Sequence, residues 1–367
     1  MRSDGEQRRG DRGGGIVGMT TLYYLARAGV ASVVVERDAI GSHASGFAYG
    51  GLSPLSGLGI PGPLAEVAHD GMRLHRELAE TVVEETGIGI DFSPRPSLAP
   101  AFTEGEARRL KSALPWQREQ SGCAARWLDP AEARRVEPRV ADDAIGAALI
   151  EGGADVEPYR LVLALTRAGE RMGVTVRHGR VTGLARAGGR VTGVVLERGE
   201  VASSAVVLAL GPWSADAAPW LDMPIPVRPL NGADPPAPGA WPARGLLGGL
   251  GPQLRHDQAR RPPLGGHHGG GDGLRRGDDT GAALVKMLPS MADARLAHQT
   301  ACLRPLASDG LLLLGRVPGL DRVYMATGAG RKGILLGPSM VRAVADLILT
   351  GSAKVALDTF APDRFRR

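Results

Sequence analysis

Gly13-Gly14-Gly15-Ile16-Val17-Gly18, followed by Met19-Thr-Thr-Leu-Tyr-Tyr-Leu-Ala-Arg-Ala-Gly29 and Ser32-Val-Val-Val-Glu-Arg37, is the stretch from which the fold follows. In G-x-G-x-x-G spacing, Gly13 permits a tight turn, Gly15 lets backbone approach a pyrophosphate, and Gly18 lets the next helix pack closely. The N–H groups and dipole of that helix N-terminus favour the negative charge of phosphates. Glu36 closes the valine run about 18 residues after Gly18, where a carboxylate can bind ribose hydroxyls. In a chain with 53 glycines a triplet alone says little. Here helix pattern, second strand and terminal glutamate follow in order, which points to dinucleotide binding.

One part is missing. A buried strand should precede the glycines, but Arg8-Arg9-Gly10-Asp11-Arg12 stands there. Parallel strands covered on both faces read as apolar runs, not as charges.

Working outward, 367 residues suffice for a large core in two lobes. The chain is 43 % hydrophobic and 23 % charged, an ordinary globular balance. A net charge of +5 and a pI near 9.5 raise the question of nucleic acid, but the basic residues are scattered and aromatics are only 4 %. No nucleic-acid partner is expected. Cys123 and Cys302 have no metal spacing and read as reduced thiols of a cytoplasmic protein, with a disulfide as the lesser alternative. No signal-peptide core, membrane span or metal cluster is expected.

Periodicity predicts a first helix over Val17–Gly29, a strand over Ser32–Arg37 and an amphipathic helix over Leu64–Thr86. A short strand is expected over Gly87–Phe92, with helices over Thr103–Leu114, Asp129–Glu137 and Tyr159–Met172. Strands are expected from Ala147, over Val174–His178, Val191–Leu196 and Val201–Leu210, and over Val323–Thr327. The last leads through Gly328-Ala-Gly-Arg-Lys-Gly333 into a helix from Ile334 to about Leu349. The small-residue loop Gly41–Leu52 lets backbone lie near a flat ligand, with Ser45 placed to donate to a phosphate. From Ala233 to about Gly281, Gly, Pro, Arg and His crowd together without periodicity. Such composition buries too little apolar surface to offset ordering entropy.

Taken together, the fingerprint with Glu36, the Ser45–Leu52 loop, the Val206–Trp213 strand, Leu303-Arg304-Pro305 with Asp309-Gly310, and Thr327–Leu336 resemble the FAD-dependent oxidoreductases of the D-amino-acid oxidase group, in particular its glycine oxidase branch. The resemblance implies an α/β fold, α+β overall. A discontinuous Rossmann-like FAD domain (1–85, 151–220, 311–367) would carry a substrate domain built on an antiparallel sheet (86–150, 221–310). It implies FAD held non-covalently. Gly13, Gly15, Ile16, Val17, Gly18, Glu36 and Arg37 would hold ADP, and Val176 would meet adenine through its backbone. Ser45, Gly50, Gly51, Leu52, Ala209, Gly211 and Trp213 would line the rest of the cofactor, with Gly328, Gly330, Gly333 and Ile334. The helix after Gly333 would aim its N-terminus at the flavin, where reduced cofactor carries negative charge.

The implied chemistry is hydride transfer from the α-carbon of a small amino acid or amine (glycine, sarcosine or a D-amino acid) to flavin N5. The imine is then hydrolysed, and oxygen or another acceptor reoxidises the flavin. Arg304 matches the arginine that pairs bidentately with the substrate carboxylate, and Arg331 a second one nearby. The usual histidine after Gly328 is Ala329 here. A homo-oligomer is compatible with this reading. Alternatives are a quinone-linked dehydrogenase and an impaired remnant that binds FAD without turnover.

The two departures share one explanation, a pair of compensating frameshifts. With the first base of each codon dropped, Gln7–Arg12 can read Asn-Val-Val-Val-Ile-Gly, the missing apolar strand. By the same shift Gln253–Gly266 can read Asn-Tyr-Ala-Thr-Thr-Lys-Pro-Asp-Gly-Leu-Leu-Trp-Ala-Gly, which resembles the family's hairpin with its tyrosine over the substrate. As written, residues 1–12 and 233–281 are expected to be irregular and exposed.

Overall fold

The valine run Val33–Glu36 forms strand β1, and the helix before it, α1 (Ile16–Arg27), starts inside the fingerprint. This computed structural model describes residues 13–231, 285–292 and 302–366. The expected irregular stretches 1–12 and 233–281 lie outside the described residues.

Helix α1 buries Ile16, Met19, Leu22, Tyr23 and Leu25, each contributing about 1.5–3 kcal/mol of burial. It ends at Arg27, slightly earlier than its apolar pattern suggested. The Gly29 N–H donates to the Ala26 carbonyl and the Val30 N–H to that of Leu25, a Schellman closure with Gly29 at φ +75°. The chain continues through β2 (Gly51–Leu52), α2 (Leu64–Thr86), β3 (Ser93–Ala101), α3 (Glu104–Glu119), β4 (Ala125–Leu128), α4 (Pro130–Val136) and β5 (Gly146–Asp155). Helix α5 (Pro158–Arg171), β6 (Thr175–His178), β7 (Val181–Ala187), β8 (Arg190–Leu196), β9 (Glu200–Ala202) and β10 (Val206–Leu208) follow. Then come a short helix α6 (Ala218–Leu221), β11 (Val227–Asn231), β12 (Leu303–Ala307), β13 (Leu313–Arg316), β14 (Val323–Thr327) and α7 (Gly333–Leu349).

The fold is mixed α/β, as expected. β1 pairs in parallel with β6, Val34 opposite Val176, and β10 pairs in parallel with β14, which also carries β13 antiparallel. The antiparallel part comprises β2-β5-β3 with β4 on β5, the pair β11–β12, and the meander β7-β8-β9. One core cluster joins α1, α2, α5 and α7, and a second lies under β10, β13, β14 and the meander. No helix among the described residues is long and apolar enough to cross a membrane.

Two expected strands are corrected. Gly87–Phe92 forms none, because Gly87 ends α2 in the left-handed region and Asp91 is at φ +51°, so extension begins only at Ser93. Val201–Leu210 is two strands in two sheets. Ser203 Oγ accepts from the Ala205 N–H, a local turn that releases β9 to pair with β8 and β10 with β14. A capping box at Asp129 and Glu132 starts α4 where its sequence pattern placed it.

Candidate cofactor cleft and active site

The fingerprint turn is fastened by two side chains, Glu36 and Ser45. The Gly14 N–H donates to Glu36 Oε2 at 2.6 Å, and the Asp38 N–H donates to Glu36 Oε1 at 2.7 Å. Glu36 is 3 % exposed, and the two backbone donors help to satisfy its buried carboxylate. The Ile16 N–H donates to Ser45 Oγ at 2.9 Å, which leaves the serine proton free to turn toward an anion at the start of α1. At Gly18 a Cβ would stand 1.7 Å from the Gly13 carbonyl oxygen. The third glycine is therefore required within the turn itself, in addition to any packing of helix on sheet.

Behind this turn, the Thr327 hydroxyl lies 2.7 Å from that of Ser214 and donates to the Gly211 carbonyl at 3.3 Å. Both side chains are buried, and they fix the Gly211–Ala217 turn to the end of β14. Trp213 from that turn meets the His43 ring edge-on at 5.5 Å between centroids. His43 Nε2 is 3.0 Å from Asp38 Oδ2, so loop, turn and β1 terminus are connected.

The third wall is the start of α7. Its first turn holds no acidic residue, and Arg331 and Lys332 come immediately before it. Two positive side chains thus add to the positive end of the helix dipole. β12 reaches this corner through a bridge between Leu306 and Ala329, which brings Arg304 to the same side as Arg331. Fully buried His75 on α2 donates from Nε2 to the Ile334 carbonyl at 2.8 Å.

These walls line one cleft. Among the predicted residues, Gly15, Ile16, Val17, Gly18, Glu36, Ser45, Ala209, Gly211, Trp213, Arg304, Gly330, Arg331, Gly333 and Ile334 line it. Gly13, Arg37, Gly50, Gly51, Leu52, Val176 and Gly328 do not. Arg37 pairs with Asp38, and Leu52 is fully buried in the core. Val176 pairs with Val34, while Gly50 and Gly51 lead into and form β2 against β5.

Ser42 was missed by sequence reasoning. Its hydroxyl is buried, has no hydrogen-bond partner and lines the cleft. No motif distinguishes it from its neighbours. An orphaned hydroxyl beside the N-terminus of α1 is what a bound phosphate or ribose would satisfy. Thr327, Ser214 and His75 were likewise invisible, because each acts through a partner more than 100 residues away in sequence.

Two predictions arise here. Glu36→Ala removes the charged acceptor of the Gly14 N–H and should weaken dinucleotide binding by about 1.5–3 kcal/mol. Titration of FAD fluorescence measures it, and unchanged affinity would remove Glu36 from the site. His75 is held neutral, its pKa lowered to about 4 by burial, against an ordinary 6.5. The unfolded chain therefore binds the extra proton first. Stability present above pH 6.5 is lost as pH falls through about 4, by roughly 3 kcal/mol for a shift of that size. Unfolding of His75→Gln between pH 6.5 and 4 should show a flatter acid limb, and an identical limb would refute the assignment.

Comparison with known proteins agrees with this geometry. The DAO family profile, described as FAD dependent oxidoreductase, matches residues 13–347. Glycine oxidase of Bacillus licheniformis is 28 % identical over 370 residues, covering 96 % of both chains. Glycine oxidase of Geobacillus kaustophilus is 29 % identical, covering 92 % of this chain and 91 % of the relative. A crystal structure of glycine oxidase from Geobacillus kaustophilus superposes with a TM-score of 0.79 at 26 % identity, covering 96 % and 97 % of the two chains. L-proline dehydrogenase from P. horikoshii shares the fold, with a TM-score of 0.74 at 20 % identity and coverage of 97 % and 96 %.

Proposed function

The chain belongs to the DAO family of FAD-dependent oxidoreductases, and on that premise we propose that it oxidises the C–N bond of a small amino acid, with glycine, sarcosine and D-amino acids as candidates. The observation that carries the proposal is the meeting of two helix N-termini, α1 and α7, and two arginines on one cleft.

The side chains present suit FAD. The α1 N-terminus with Ser42 and Ser45 would hold the pyrophosphate. The Glu36 carboxylate lines the cleft, where it would accept from ribose hydroxyls. We assign the binding as non-covalent. When bound, the flavin supplies a two-electron hydride acceptor. Arg304 would clamp the substrate carboxylate as a fork, with Arg331 as a second cation, and so set the direction of the α C–H bond. Arg331 and the positive end of α7 also disfavour the ammonium form of the substrate. That matters because the nitrogen lone pair must be free as the C–H electrons leave. The resulting imine is hydrolysed by water, and oxygen or another acceptor takes the electrons.

We place the cofactor domain over 1–85, 151–220 and 311–367, and the substrate domain over 86–150 and 221–310. β5 runs across the boundary at 150, so the two share a strand. A cytoplasmic location belongs to the same reading, with Cys123 and Cys302 as free thiols, as does assembly as a homo-oligomer. The test is the visible spectrum of the purified protein with FAD, followed by anaerobic addition of glycine, sarcosine and D-amino acids. Bleaching supports the proposal, and a bound flavin that none of them bleaches refutes these substrates. Oxygen uptake then separates an oxidase from a quinone-linked dehydrogenase.

A second reading, an impaired relative that binds FAD without turnover, is supported by the sheet edges. Among the described residues β1 pairs only with β6 and β10 only with β14, and Val33 is 47 % exposed. Val35 packs toward the cluster that contains Val206 and Leu208. An apolar strand from frame-restored residues 7–12 would suit those edges. Replacing these residues by Asn-Val-Val-Val-Ile-Gly should then raise both the unfolding midpoint and FAD affinity. Coding DNA free of compensating shifts at codons 5–12 and 230–283 would refute the frameshift origin.

A further inference from the structure

Helix α7 carries a proline in its interior, Pro338, whose nitrogen has no hydrogen. In an α-helix that nitrogen would serve the carbonyl four residues earlier, which belongs to Ile334. Ile334 is 7 % exposed and lines the cleft, so its carbonyl would be left without an intrahelical donor in the turn that faces the cleft. His75 occupies that gap. Its Nε2 is 2.8 Å from the Ile334 oxygen, and because a carbonyl only accepts, Nε2 carries the proton.

The rest of α2 is shaped to deliver this ring. Gly71, one turn earlier on the same face, approaches so closely that a Cβ there would stand 2.2 Å from the Leu335 carbonyl oxygen. Asp70 accepts a 2.7 Å bond from the Ser339 hydroxyl, one residue after the proline. Asp70, Gly71 and His75 therefore hold α7 on both sides of its missing hydrogen bond.

We propose that His75 is a positioning residue that replaces the N–H Pro338 lacks, holding the Ile334 carbonyl toward α2 so that the leading N–H groups of α7 keep their aim on the cofactor. This rests on the proposed FAD chemistry for its consequence, but the hydrogen-bond substitution itself does not. Without the imidazole, an unsatisfied carbonyl sits at the positive end of the helix and the first turn loses its anchor.

The test is a double-mutant cycle on the full chain with His75→Leu, Pro338→Ala and the pair, plus His75→Gln as a donor-retaining variant. FAD dissociation constants and urea midpoints are both read. With proline present, His75→Leu should weaken FAD binding at least tenfold and lower the urea midpoint, while His75→Gln stays within about threefold of the parent. In the Pro338→Ala background, where the helix supplies its own N–H, His75→Leu should change FAD binding less than threefold. Equal effects of His75→Leu in both backgrounds would reduce the histidine to packing and overturn the proposal. Should the parent chain bind no FAD, the proposed function fails, and the urea cycle still decides this inference. Non-additive midpoints sustain it, and additive midpoints end it.

Discussion

Arg304→Ala should raise KM for an amino-acid substrate by roughly thirty- to a few thousand-fold, the equivalent of the 2–5 kcal/mol lost when a buried charge pair is broken. Arg304 stands in β12 opposite Leu230, half-buried, on the strand that bridges to Ala329 at the start of α7. If Arg304 clamps the carboxylate as proposed, removing it leaves that group desolvated with one cation fewer. An amine without a carboxylate makes no such contact and should change by less than about fivefold, within the range of an ordinary surface effect. Arg304→Lys keeps charge but loses the planar fork, so it should fall between parent and alanine. Steady-state kinetics with matched substrates, one bearing the carboxylate and one not, gives the answer. A similar rise for both would mean that Arg304 shapes the cleft without anchoring the acid.

Gly18→Ala should yield a colourless protein, with FAD affinity lowered by about a hundredfold or more and a reduced unfolding midpoint. The added Cβ meets Gly13 O at 1.7 Å and Gly13 C at 2.8 Å. Both are backbone atoms that cannot rotate aside, so the fingerprint and the first turn of α1 must separate. Overpacking of this kind typically costs about 1–3 kcal/mol where neighbours can yield, and more where they cannot. The same movement pulls the Ile16 N–H from Ser45 and the Gly14 N–H from Glu36. Gly89→Ala is the control, since nothing lies within 4 Å of its added Cβ and its φ is ordinary. A yellow Gly18→Ala protein binding FAD within threefold of the parent would show that the turn tolerates the side chain.

The sequence by itself determined the local elements around the cofactor. The span of α2 is as its apolar pattern gave it, and α1, α4, α5 and α7 fall within a few residues, because a buried helical stripe and a cap are written in consecutive residues. The fingerprint, Glu36, Ser45, Arg304 and Arg331 were legible for a related reason. Each belongs to a short ordered motif whose chemistry needs that residue type, and all but Gly13 line the cleft. Gly50, Gly51 and Leu52 belonged to an equally clear motif, but their strand pairs with β5 and Leu52 turns into the core, a choice made by distant neighbours. Ser42 became distinct only when folding buried its hydroxyl beside the N-terminus of α1 without a partner. His75 reads in sequence as one polar residue on an amphipathic helix. It acquires its role 259 residues away, where Pro338 has removed a donor and only tertiary packing can supply another. Local motifs fix what a segment can do, whereas hydrogen-bond satisfaction is a property of the whole buried interior, so the second could be read only in three dimensions.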